Sequence, residues 1–161
     1  MKTPETSRSV IVQSLTELLN GGHAHVSFSD AVAGIPQQLI GAKHELLPYT
    51  IWQLVEHIRI AQWDIVEFSS NKDHVSPSWP DEYWPKEPAP ARSALWEESL
   101  SQIKADRETF IALLHDTTRD LFHPFPYGEG QHLFREALLI ADHTSYHTGE
   151  ILVLRRLLKC W

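Results

Sequence analysis

At 161 residues the chain suits one domain, residues 1–161, with a core large enough to need no disulfide. A net charge of −7 excludes a general binder of nucleic-acid backbone, which needs a basic face. Cys160 is the single cysteine, and the opening "MKTPETSRSV" is polar. No window reaches the ~20 apolar residues of a membrane span. A cytoplasmic protein, with no signal peptide and no membrane partner, is therefore expected.

Residues 5–20 have the spacing of a first helix, with Ile11, Leu15, Leu18 and Leu19 on one side and Gly21–Gly22 as a stop. A short helix is expected within "FSDAVAGIP", starting near Ser29 or Asp30, and residues 41–49 form a connector. Residues 50–70 are a second long helix, with a capping box at Thr50 and Gln53. Its stripe of Leu54, His57, Ala61, Asp64, Ile65 and Phe68 is unusual in placing a histidine among apolar residues. Residues 71–92 carry Pro77, Pro80, Pro85, Pro88 and Pro90 interleaved with Trp79, Tyr83 and Trp84, which predicts a long packed loop. Residues 93–116 are a third long helix, in which Arg107 fills one slot of the rhythm set by Trp96, Leu100, Ile103, Phe110 and Leu114. A turn-rich connector with room for a brief hairpin follows. Residues 131–159 are the fourth long helix, with Leu138, Leu139, Ile140, Ile151 and Leu154 among its apolar residues. Four long amphipathic segments and no alternating strand pattern define an all-α four-helix bundle.

In the last helix, "ADHTSYHTGEILVLRRLL" sets His143 and His147 four residues apart. At 100° per residue His147 lies about 40° from His143, Leu154 about 20°, and Glu136 and Glu150 within about 20°. The pair sits inside the apolar stripe, where an imidazole without a partner is costly. Bundles resolve that cost with metal sites between facing helices. The run is H-T-S-Y-H and lacks the glutamate of the zinc-protease motif H-E-x-x-H, so a metalloprotease is disfavoured. His57 is the candidate third ligand, and three histidines suit zinc, nickel or iron while leaving positions open for substrate. The other histidines, His23, His25, His44, His74, His115, His123 and His132, fall in loops or at element ends, where solvation is the expectation.

With these residues in place, the chain resembles the DinB/YfiT-like superfamily of metal-dependent four-helix bundles. The resemblance rests on "TIWQLVEHIRIAQWDIVEF" in the second helix and on His143, Tyr146, His147 and Gly149 in the last, in the family's order. It implies an up-down-down-up bundle, a divalent metal ion bound by His57, His143 and His147, and a homodimer. It also implies a small-molecule substrate, with low-molecular-weight thiols used by the family's transferases and isomerases. Glu150 stands where many relatives have glutamine. Glu150 or Asp64 would orient a ligand histidine or accept a proton. The expected function is a metal-dependent thiol S-transferase or hydrolase; the alternative is a non-catalytic, stress-associated metal-binding or dimerisation module.

Overall fold

A computed structural model describes residues 4–22 and 24–161, so the expectation for His23 lies outside the described residues. Its helices are α1 (Pro4–Leu19), α2 (Phe28–Val32), α3 (Gln37–Ile40), α4 (Ile51–Ser70), α5 (Ala94–His115) and α6 (Leu133–Leu157), with a 3-10 turn at Asp81–Tyr83. Among the described residues there is no strand, and no helix is long and apolar enough to cross a membrane.

The helix ends follow local chemistry. Gly21 and Gly22 take φ of 111° and 58° and donate to the carbonyls of Leu18 and Glu17, which closes α1 in a Schellman arrangement. A Cβ at Gly21 would lie 2.9 Å from Ser27 Cβ, so glycine is required there on steric grounds as well. At α4 the capping box forms: Gln53 N–H donates to the Thr50 hydroxyl and Thr50 N–H donates to the Gln53 side chain. The short helix α2 begins earlier than expected. Ser27, not Ser29 or Asp30, accepts the capping bond from Asp30 N–H. The four residues of α3 are too few to leave a periodic signal. The 116–132 connector forms no hairpin; Phe125 N–H donates to Gln131 C=O, and Phe134 N–H to Leu121 C=O.

Side-chain pairings fix the helix directions. Ser99 donates to Glu56 at 2.5 Å and Gln62 to the Ile103 carbonyl at 2.6 Å, so α4 and α5 run parallel. His57 meets His143 and Tyr49 meets Glu150, so α6 runs antiparallel to α4. Arg8, early in α1, donates to the carbonyls of Leu114 and Asp116 at the end of α5. The order is up-down-down-up. Helix α4 packs on α5 and α6, α1 packs on the same pair, and α1 and α4 are diagonal. Parallel α4 and α5 require residues 71–93 to travel back along α4. The loop is held at the return end by Thr50 Oγ1 donating to Pro88 C=O at 2.6 Å and by Gln53 Nε2 donating to Pro85 C=O at 3.0 Å.

The apolar core is divided in two. One cluster joins Phe28, Ile51, Leu54, Ile58, Trp96, Ile103, Ile151 and Leu154; the other joins Val12, Leu15, Val66, Phe110, Leu114, Leu133 and Ile140. Between them each long core helix carries polar residues: Gln62 and Asp64 on α4, Asp106 and Arg107 on α5, and His143, His147 and Thr148 on α6. Two leucines counted as apolar surface of α6 are not in the core. Leu138 and Leu139 are 42% and 39% exposed and line a cavity together with Leu18 and Leu19 at the end of α1.

Thr50 is fully buried and serves both the cap and the loop. Replacing Thr50 by alanine is expected to destabilise the protein by about 1–3 kcal/mol, while serine retains most of the stability. Urea denaturation of the two variants checks this.

Candidate metal centre

Helix α4 presents His57 toward α6, and α6 presents His143 and His147, one turn apart, back toward α4. The ring centroids are 4.8 Å (His57–His143), 4.7 Å (His57–His147) and 4.5 Å (His143–His147) apart. One ring nitrogen from each residue lies within 4.8 Å of the others, a group that can hold a metal ion. His57 and His147 are buried, and His143 is partly exposed.

The bonds on the far side of the rings determine which nitrogens face the centre. His57 Nδ1 lies 2.9 Å from the Tyr83 carbonyl, which can only accept, so Nδ1 carries the proton and Nε2 keeps its lone pair. His147 Nδ1 donates to Glu150 Oε2 at 2.7 Å, and Tyr49 Oη donates to Glu150 Oε1 at 2.7 Å. His143 Nε2 and His57 Nε2 approach to 3.0 Å. Because His57 Nε2 is an acceptor, the proton between them belongs to His143. With the His143 proton on Nδ1, its other neutral tautomer, the centre would be faced by three neutral nitrogen donors, the set that suits zinc, nickel or iron. The donor chemistry and the anchored tautomers therefore fit a divalent ion.

Aromatic residues from the crossover loop form the wall. Trp84 stacks on His57 with centroids 3.9 Å apart and planes 9° from parallel. Trp79 lies 6.3 Å from His57, and Tyr146 packs edge-on to His147 at 4.9 Å. Trp79 and Tyr146 are mostly exposed and form a rim beside His57 and His147.

Asp64 takes a place one step removed from the histidines. It accepts from Tyr83 Oη at 2.6 Å and pairs with His74 Nε2 at 2.7 Å, so it meets His57 only through Tyr83. His74 corrects an expectation: its side chain is 7% exposed rather than solvated, because the loop folds it against Trp63 and Asp64. His132 caps α6 by accepting from Arg135 N–H, away from the trio. Tyr49 and the Tyr83 carbonyl are the contributors to the site that sequence reasoning missed, whereas Trp84 belongs to the aromatic loop that the sequence singled out. Only Tyr49 left a usable signal, as the residue just before the cap of the His57 helix.

Burial holds the His57 pKa below its ordinary value; the Tyr83 carbonyl opposes this, and His147 adds to it. His143 is pushed down to about 3 by burial and then by the neighbouring His147 and His57. Burial and the bond to Glu150 raise the Tyr49 pKa.

The site and its scaffold define a helical bundle with an inward three-histidine cluster. A family model described as the DinB superfamily matches residues 24–151, and the chain belongs to that superfamily. The search of curated proteins and the search of solved structures each give no match.

Depressed histidine pKa values predict acid sensitivity. The unfolded chain takes up protons near pH 6.5, and folded His143 does so only near 3. Stability is therefore complete above about 6.5 and declines as pH falls from there toward 3. Melting temperatures of chelator-treated protein from pH 8 to pH 4 should fall with acidification, and the slope should flatten in His143→Gln.

Proposed function

We propose that His57, His143 and His147 bind one divalent ion (zinc, nickel or iron) and that the protein is a metal-dependent enzyme, a thiol S-transferase or a hydrolase. The observation that carries this reading is the convergence of three imidazole nitrogens within 4.8 Å, two of them on rings anchored from behind. A structural zinc site usually closes with a fourth protein ligand. Among the described residues the group has three members and a partly exposed edge at His143, which favours an open, catalytic centre.

A bound divalent ion supplies Lewis acidity, lowering the pKa of a thiol or water and aligning it with an electrophile. The chain's own residues do the remaining work. Glu150 accepts the Nδ1 proton of His147, which fixes the ring and raises the basicity of Nε2. Tyr49 holds Glu150 in that position. Tyr83 does the same for His57 through its carbonyl, and Asp64 holds the Tyr83 phenol. Trp84 excludes water from one face of His57, while Trp79 and Tyr146 offer aromatic surface for the apolar body of a small-molecule substrate. The reacting thiol comes from a low-molecular-weight co-substrate, because Cys160 lies beyond the end of α6. A homodimer, as the family resemblance implies, in the reducing cytoplasm that a single cysteine fits, completes the proposal.

Protein purified without a histidine tag should bind about one equivalent of metal by elemental analysis after loading and dialysis. His57→Ala and His143→Ala should lose it, and Glu150→Gln should weaken affinity about 10–100-fold. No retained metal in the wild type would exclude the proposal. Enzymatic function is tested separately, by assaying electrophiles and esters with several thiols. Turnover by the metal-loaded wild type that disappears in the histidine variants supports it. Metal binding with no turnover points to the non-catalytic module instead.

A further inference from the structure

Arg107 stands in the polar belt on α5, where the helix rhythm calls for an apolar residue. It makes no hydrogen bond or ion pair to any described residue, and its Nε is shielded from solvent. A shielded guanidinium nitrogen without an acceptor is uncommon, and the Nε of this half-buried side chain is one. Arg107 lines two adjoining cavities, of about 640 and 810 Å³, which share Phe28, Ser29 and Ile103 as the partition.

The smaller cavity is a built site. It opens where α1 stops, between the end of α1, α2, α5 and α6. Its apolar walls include Leu18, Leu19, Phe28, Leu138 and Leu139, which accounts for the exposure of Leu18, Leu138 and Leu139. Its volume falls within the roughly 300–1,000 Å³ of small-molecule pockets. The charged side chains lining it are Arg107, Arg135, His25 and Asp142. Arg135 is paired with Glu136, His25 contacts Ser145, and Asp142 is exposed. Arg107 is thus the one cation there without an acceptor among the described residues. The cavity is separate from the histidine centre: Thr144 and Thr148 of α6 line it, while His143 and His147 on the same helix do not.

We infer that this cavity binds an amphipathic monocarboxylic acid, with its carboxylate on Arg107 and its apolar body against Leu18, Leu138 and Leu139. A planar carboxylate matches the donor fork of a guanidinium. A single unmatched cation neutralises a monoanion and leaves a dianionic phosphate partly uncompensated. The site is independent of the proposed metal chemistry.

The test titrates decanoate, below its micellar concentration, into the full chain by calorimetry, with decanol and decylammonium as comparison probes. Saturable decanoate binding is expected, at least about tenfold tighter than either comparison probe and weakened at least about tenfold by Arg107→Gln. His143→Ala should leave it unchanged. Absence of saturable binding, equal affinity for decanol, or an Arg107→Gln variant that binds as wild type would overturn the inference. Decanoate binding lost in His143→Ala but retained in Arg107→Gln would place the carboxylate at the histidines and overturn it as well. Should Arg107→Gln fail to fold, Leu139→Asp substitutes for it, because it alters a partly exposed wall residue. Loss of binding supports the site, and undiminished binding overturns it.

Discussion

Polar groups inside a helix bundle must find partners, and this bundle carries a belt of them through its middle. Along each of α4, α5 and α6 the polar residues fall between the two apolar clusters, so they draw partners from a neighbouring helix, the crossover loop or their own backbone. Gln62 is matched by a backbone carbonyl of α5, Asp64 by Tyr83 and His74, and Thr148 by the Thr144 carbonyl one turn back. His57, His143 and His147 are matched partly from behind and partly by each other. The two apolar clusters on either side supply the burial that makes this arrangement tolerable.

The same belt explains how the crossover loop and the histidines depend on one another. Asp64 is buried on α4, yet its partners are both residues of the loop. Tyr83 returns that support: its phenol bonds Asp64 while its carbonyl sets the tautomer of His57. One residue thus ties the loop to the helix and the helix to the centre. Trp84, next in sequence, stacks on the ring that Tyr83 orients. The wall of the centre and the orientation of its first imidazole come from a single short stretch of chain.

Much of this was legible in the sequence, for identifiable reasons. The four long helices repeat their apolar residues over many turns, so Leu15, Leu54, Phe110 and Ile151 mark them clearly. His57, His143 and His147 could be singled out because each interrupts an apolar stripe. That they face one another within hydrogen-bonding reach required the helix directions, which no local pattern encodes. The support for His57 was hidden for a different reason. A backbone carbonyl has no letter of its own, and the path of a proline-rich loop has no period. His74 was misjudged on the same account, since its burial depends on where that loop turns. Leu138 and Leu139 were counted with the apolar surface of α6, but they line a cavity rather than the core.

Parallel packing of α4 and α5 has a consequence for how such a protein can change over time. Helix α4 is about 30 Å long, and the chain must retrace that length before α5 can start. The segment over the histidines is therefore a topological obligation of the bundle rather than an ornament added to it. It cannot be deleted without severing the connection between two core helices, and it is held to α4 and its cap by bonds at His74, Tyr83, Pro85 and Pro88. Positions between the anchors, Trp79 among them, are open to substitution. A fold wired this way keeps its centre covered in every descendant while leaving the chemistry of the cover adjustable.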